Sequence, residues 1–588
     1  MKSKFSLTAI KKKINKDFLI LFMMSVVNLL FLHYQFLFSI GLESSCFKSS
    51  PFDNLTACLL DVSVLLFIFW LLSFMRLHVA LAITFAITLV WSFCNIFYSR
   101  FFYQYLSWTA MGQAGNMTDG TVTSSLFEGF EIYDLYYPIM IALFCWLYRR
   151  SKKCDVKVRS LRTIIYVWVL SLLLGLAAHA LYIFHPEMTI VYQYHKTVFT
   201  PRLYDSMWPN WTYFHKGFIR KLFIDQLTRS SHIELTEEQK AEIKKEYMDH
   251  SQRVTGRTAP ENVKNVVFIL VESYLAAPSD LIVDGKEITP NLNKLRHDST
   301  VYFNGHMLPN VSIGRSSDGQ FIYMSGLLPL HSEITVSVAR DDTIIGLPEQ
   351  MRRSYPDMKG MTIIPSNPTL WEQQAMSKSY GFEKLFSALD YQTEMNDKDA
   401  GGCLTDEMIF TYASQKDLHN TEPFFSLLLT VSMHLPYNTY FGHGFELSDA
   451  NLPQRYKNYL INCHYTDLQI GKYLEFLKEQ GLYDNSLIVI AADHEPPLRY
   501  LDMEDRLPIE LPFYIINGGI TNEDAWDGEC NQLDVYTTIL DIMGIESQWR
   551  GLGHTLLNKN YQNSVTDHTQ ILSDWIIYGN YFGKNMPQ

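Results

Sequence analysis

Before residue 185 the chain is dominated by stretches of nearly uninterrupted apolar residues: Phe18–Ile40, Leu59–Met75, Val79–Tyr98, Leu135–Tyr148 and Thr163–Phe184. Most of them approach the ~20 residues that a helix needs to cross a hydrocarbon core, and little else can be done with so much apolar chain. The expectation is a bundle of five transmembrane helices. The fourth stretch is short, and Tyr136, Tyr137 and Trp146 at its ends would serve as interfacial anchors.

Charge in the loops orients the bundle. Lys11, Lys12, Lys13 and Lys16 precede the first stretch, Arg76 lies between the second and third, and "RRSKKCDVKVRSLR" (149–162) separates the fourth and fifth. The loops at 41–58 and 99–134 are poor in Lys and Arg, so the N-terminus is expected in the cytoplasm and everything beyond about Phe184 outside. A cleaved signal peptide is not expected, because no small-residue cleavage site follows the first stretch and four more follow it. His179 stands out as an ionisable residue inside the fifth.

The remaining chain reads differently. "FHKGFIRKLFIDQL" (214–227) puts Phe214, Phe218, Ile219, Leu222, Phe223 and Leu227 on one helical face beside Lys216, Arg220 and Lys221, as a helix lying on a membrane or on the globular part would. Thr236 and Gln239 have the spacing of a capping box. From about Asn262, apolar runs alternate with amphipathic helical stretches, and "VKNVVFILVES", "KGMTIIPS", "FFSLLLTVSMH" and "NSLIVIAADHE" read as strands buried on both faces. The division predicted is a transmembrane domain at 1–184, a juxtamembrane helical linker at 185–260 and an α/β domain with a central, mostly parallel sheet at 261–588. The net charge of -12 argues against nucleic acid as a partner. Eight cysteines without a CxxC pair argue against a cysteine metal cluster; Cys46 and Cys58 share an external loop and are a candidate disulfide. Asn54 and Asn310 begin Asn-x-Ser/Thr matches that are read as chance.

In open α/β sheets ligands bind beyond the carboxyl ends of the strands. Three of the four runs end there in metal-competent residues: Glu272, His434, and Asp493 with His494. Two carboxylates and an imidazole suit Mn²⁺, Mg²⁺ or Zn²⁺. A reactive oxygen would come from "PNVSIGRSSDGQFIYMSG" (309–326), where a hydroxyl at a helix start could be nucleophile or only N-cap. Spacing alone leaves Ser312, Ser316 and Ser317 open.

Taken in order, the apolar segments and the motifs "FILVES", "GRSSDGQF", "SMHLPY" and "AADHE" resemble the lipoteichoic acid synthase branch of the alkaline phosphatase and sulfatase superfamily. The resemblance implies a phosphotransferase with Ser316 as nucleophile in place of the family's Thr. Glu272, Ser316, Asp493 and His494 would hold one divalent metal, usually manganese, and His434 would handle phosphate or a proton. Arg315, His434, Trp371 and Gln373 are the implied substrate-binding positions, with one departure: the family's W-x-R motif reads Trp371-Glu372-Gln373 here, and a neutral amide cannot give phosphate the bidentate contact of an Arg. The implied donor is a membrane phospholipid, phosphatidylglycerol before phosphatidylethanolamine, and the acceptor an envelope glycan or lipid. A sulfatase is disfavoured, since neither the Pro nor the Arg of C/S-x-P-x-R follows Ser316. A non-catalytic envelope sensor is the reading from another class, and it would predict an eroded ligand set.

Overall fold

The computed structural model of the chain describes residues 16–40, 51–72, 74–102, 106, 108–112, 129–151, 161–184, 232–331, 333–391, 403–415, 423–437, 444–504 and 506–585. The amphipathic stretch at 214–227, Cys46 and the side chains of Asn54 and His179 lie outside the described residues. The chain forms two compact units, Met1–Met111 with Gly129–Arg229 and Gly112–Glu128 with Ser230–Gln588.

In the first unit all five apolar stretches are helical: Lys16–Ile40, Pro51–Leu72, Leu77–Phe102, Tyr136–Ser151 and Leu161–Phe184. Two of them, over Asp17–Gln35 and Leu77–Phe101, are long and apolar enough to cross a membrane, whereas Cys58–Leu72 and Ile165–Ala177 are shorter apolar runs. The fourth helix has 16 residues, a rise of about 24 Å. Its first two tyrosines pack against neighbouring helices. Tyr136 stacks on Phe31 with ring centroids 3.8 Å apart and donates to Asn28 Oδ1, and Tyr137 packs edge-on against Phe93. Two further ionisable residues within the apolar helices, His33 and Asp61, are buried and meet at 3.0 Å (Nε2 to Oδ2), joining the first two helices.

The second unit is built on ten strands: β1 (Asn265–Val271), β2 (Ile282–Val283), β3 (Lys286–Glu287), β4 (Tyr302–Leu308), β5 (Lys359–Ile363), β6 (Lys384–Phe386), β7 (Phe424–Leu429), β8 (Ser486–Ala492), β9 (Leu511–Ile516) and β10 (Cys530–Asn531). Eight form one sheet in the order β10-β4-β9-β8-β1-β7-β5-β6, and β2 and β3 pair as a separate hairpin. The sheet is mostly parallel, with β9 antiparallel to both β4 and β8. Every residue of β1, β8 and β9 is buried, as expected where helices cover both faces. Each fully buried Val, Ile or Leu there contributes about 1.5–3 kcal/mol, which is why the centre of the sheet is its most apolar part.

Helix ends follow local chemistry. Thr236 Oγ1 accepts from Gln239 N–H at 3.2 Å while Gln239 Oε1 accepts from Thr236 N–H at 2.9 Å, closing the capping box that starts Glu237–Met248. The long helix Gln454–Glu479 is followed by Gly481 at φ 71, and Asp534–Ile542 by Gly544 at φ 59, the left-handed conformation in which glycine ends helices.

Candidate active site

The parallel centre of the sheet, β7-β1-β8, brings three chain ends to one edge. Pairing continues one residue past each strand, with Asp493 N–H donating to Val271 O at 3.0 Å and Thr430 N–H to Leu270 O at 3.1 Å. Glu272 N–H donates to Thr430 Oγ1 at 2.9 Å. Glu272, Asp493 and His494 are buried here, each offering one ligand atom within 4.8 Å of the others.

Ser316 begins the helix Ser316–Ser325, which packs its first turn against this edge. Gly319 makes the approach possible, since a Cβ at that position would collide with the Asp493 carbonyl. Ser316 Oγ lies 3.2 Å from Glu272 Oε2 and 3.1 Å from His494 Nε2. Ser317 Oγ is engaged elsewhere, donating to Gly314 O at 2.8 Å, and the backbone N–H of Ser312 donates to Asp318 Oδ2 at 2.9 Å. Asp318 also receives Gly314 N–H at 2.9 Å, so its buried carboxylate ties down the turn entering the helix. Arg315 precedes Ser316 at φ 46, a backbone region that non-glycine residues seldom occupy and that clusters at functional sites.

The guanidinium of Arg315 is directed to Glu495, with Nη1 donating to Oε1 and Nη2 to the backbone oxygen, both at 2.8 Å. That backbone oxygen also takes His494 Nδ1–H at 2.7 Å, which turns Nε2 towards Ser316 and the carboxylates. His434, on the turn after β7, likewise gives Nδ1–H to a backbone oxygen, that of Leu435, at 2.6 Å. Gln373 Nε2 donates to Gln320 Oε1 at 2.7 Å, and both amides are buried; Gln320 stands one turn after Ser316 on the same helix. Trp371 is half-buried at φ 51.

Burial disfavours charge throughout the cluster. At Glu272 that penalty is outweighed by the neighbouring imidazoles of His494 and then His434, which hold the carboxyl below its ordinary range. Asp493, equally buried and facing the Glu272 charge, is pushed well above it. Burial and then the Arg315 charge hold His494 below the usual imidazole value. Two buried carboxyl groups and an imidazole, with ligand atoms within 4.8 Å of one another and one hydroxyl beside them, form a donor set that a single divalent cation fits.

Several contributors carried no sequence signal beyond their neighbours: Ser273, Asp318, Gly319, Thr430, Glu495 and Gln532. Of these, Ser273, Asp318, Gly319 and Glu495 stand inside quoted motifs. Gln532 is a backbone-to-backbone bridge from a distant loop, with Nε2 donating to Asp493 O and Oε1 accepting from Asn310 N–H, both at 2.7 Å.

Comparison with known proteins places these features in context. Residues 264–545 match the family model described as Sulfatase, and residues 1–195 match that of the lipoteichoic acid synthase N-terminal domain. The chain is 26% identical over 324 residues to lipoteichoic acid synthase 2 of Bacillus subtilis, covering 51% of this chain and 48% of that protein. It thus spans about half the length of that relative. Lipoteichoic acid synthase of Staphylococcus aureus is 26% identical over 514 residues, 80% of this chain and 74% of the relative. Among solved structures, the lipooligosaccharide phosphoethanolamine transferase A of Neisseria meningitidis superposes with a TM-score of 0.52 over 94% of this chain and 98% of that one, at 14% identity, a likeness of fold.

Proposed function

This chain belongs to the alkaline phosphatase and sulfatase superfamily and is lipoteichoic acid synthase-like, and on that premise we propose that it is a membrane-anchored, metal-dependent phosphotransferase using Ser316 as its nucleophile. The observation that carries the reading is the convergence of Ser316 Oγ with Glu272 and His494 at 3.2 and 3.1 Å, beside Asp493.

In this reading Glu272, Ser316, Asp493 and His494 hold one divalent cation, Mn²⁺ before Mg²⁺ or Zn²⁺. Bound there, it would lower the pKa of the Ser316 hydroxyl and offset the phosphoryl charge. The chain's own groups do the rest. Ser316 Oγ attacks the phosphorus of a phospholipid in line, the bond from phosphorus to the diacylglycerol oxygen breaks, and the head-group phosphate stays on Ser316. The N-terminus of the Ser316 helix supports the equatorial oxygens. His434, with Nδ1 engaged on Leu435 O, has Nε2 to protonate the departing oxygen and later to take the proton from the acceptor hydroxyl. That acceptor is an envelope glycan or lipid. Arg315, Trp371 and Gln373 line the head-group side.

The membrane topology belongs to the same proposal: five spans over 1–184, a cytoplasmic N-terminus, a linker at 185–260 and an extracytoplasmic catalytic domain at 261–588. A donor drawn from the bilayer then reaches the site without crossing water. Phosphatidylglycerol is the favoured donor. Phosphatidylethanolamine is the second reading, supported by the neutral Gln373 where the resemblance expects an Arg. Incubating the protein with vesicles carrying glycerol-labelled or ethanolamine-labelled lipid separates them. Diacylglycerol release with transfer of glycerol label is expected; transfer of ethanolamine label alone would replace the donor.

A further inference from the structure

We infer that Ser273 is a positioning residue that sets both carboxylates of the cluster in single-oxygen presentation towards a divalent cation; this rests on the metal-dependent reading above. Ser273 follows Glu272 at the end of β1 and is buried. Its hydroxyl donates to Glu272 Oε1 at 2.6 Å, and its backbone N–H donates to Asp493 Oδ1 at 2.8 Å. The same Asp493 oxygen takes His494 N–H at 2.7 Å. One oxygen of each carboxylate is therefore held by Ser273. The other oxygen of Glu272 is the one beside Ser316 Oγ, at 3.2 Å, while the held Oε1 stands 3.5 Å from His494 Nε2; the other oxygen of Asp493 faces the same Nε2 at 3.7 Å.

The backbone of Ser273 is shaped for this double contact. Its φ of 49 lies in the left-handed region, which non-glycine residues seldom adopt and which tends to be retained where surrounding structure demands it. The demand is visible: Tyr459 OH donates to Ser273 O at 3.0 Å and accepts from Leu275 N–H at 3.1 Å, clamping the turn from the far side. An extended residue here would send the following chain, with Leu275 N–H, away from Tyr459, and a glycine would supply the N–H without the hydroxyl. Serine answers both needs. Groups that orient ligands in this way typically govern metal affinity by about 10–100-fold.

Stability and affinity should part company in a small set of variants, which separates positioning from a merely structural role. The full-length protein in detergent micelles, stripped with EDTA and titrated with Mn²⁺ by calorimetry, is compared with Ser273→Ala, Ser273→Gly and Ser273→Thr, with the Tm of each stripped protein alongside. Gly suits the left-handed backbone and should melt above Ala, whereas β-branched Thr should melt lowest. The expected affinities run against that order: Thr stays near wild type because it keeps the hydroxyl, and Ala and Gly both bind Mn²⁺ about 10–100-fold more weakly. Affinities that follow the melting order, with Gly near wild type, would overturn the inference and leave the metal reading intact. Wild-type protein that takes up no Mn²⁺ would overturn the metal reading and the inference together.

Discussion

The turns that carry Glu272 and Asp493 and the segment that carries Trp371 and Gln373 are two regions of one domain built on opposite plans. In the first, carboxyl groups are held at the ends of paired strands, with Ser273 and His494 supplying N–H or hydroxyl contacts at 2.6–2.8 Å. In the second, Trp371 and Glu372 sit consecutively at φ 51 and 55, and the one buried polar contact joins two neutral amides. That pair leaves Gln320 Nε2 and Gln373 Oε1 without partners among the described residues. The lesson is one of tolerance. A carboxylate anchored by several backbone and hydroxyl donors loses several contacts at once when it is substituted, whereas a pair of side-chain amides loses one, so under the proposed function the second region is the easier to retune.

The sharpest way to break this comparison is at Ser316. Ser316→Ala should lower head-group transfer by ~1000-fold or more, measured as label leaving the donor lipid, and should also weaken Mn²⁺ binding because the hydroxyl is one of the four proposed ligands. Transfer near the wild-type rate would move the chemistry off this hydroxyl. A smaller effect is expected at the second region: Gln373→Leu should lower kcat/KM for the donor lipid by about 10-fold, since Gln320 is left without its amide partner. Calorimetry should show Mn²⁺ affinity unchanged in that variant, and a parallel loss of affinity would mean that the two regions are not separable.

The smallest effect serves as a baseline, a buried carboxylate outside the cluster. Asp342 accepts no hydrogen bond among the described residues and has His232 Nε2 at 3.3 Å. Burial, and then the charge of Asp341, raise its pKa to about 7. A folded-state pKa raised above the unfolded value gives stability that is present in acid and lost as pH rises through about 7. Between pH 5 and pH 8 the Tm of the wild type should therefore fall relative to that of Asp342→Asn, by a modest amount because Asp342 is only partly shielded from water. Parallel curves would show that burial without donors leaves the carboxyl unperturbed.

Much of this domain is legible in the sequence for a physical reason. Strands covered on both faces are almost wholly apolar, so the runs containing β1, β5, β7 and β8 could be read directly, and the strand-end rule then singled out Glu272, His434, Asp493 and His494. β4 was harder, because its residues alternate between buried and partly exposed positions, and β10 has only two residues. β9 is fully buried but short, at six residues, and its antiparallel insertion between β4 and β8 has no local signature. Among Ser312, Ser316 and Ser317 the distinction lies in which hydroxyl faces the strand ends, a property of the Arg315 turn and of Asp318 rather than of composition. The pairing of Gln373 with Gln320 spans 53 positions and is likewise a product of the fold. In the first unit, apolar periodicity located all five helices, while the inward turn of Tyr136 and Tyr137 came from packing that hydropathy does not encode.

The most direct test of the account is peptide mass spectrometry of the protein incubated with Mn²⁺ and mixed phosphatidylglycerol and phosphatidylethanolamine vesicles, using His434→Ala to slow turnover. A glycerol phosphate adduct on Ser316, within "SIGRSSDGQF", is the predicted result. An adduct on Ser312 or Ser317, or turnover with no adduct on this peptide, would contradict it.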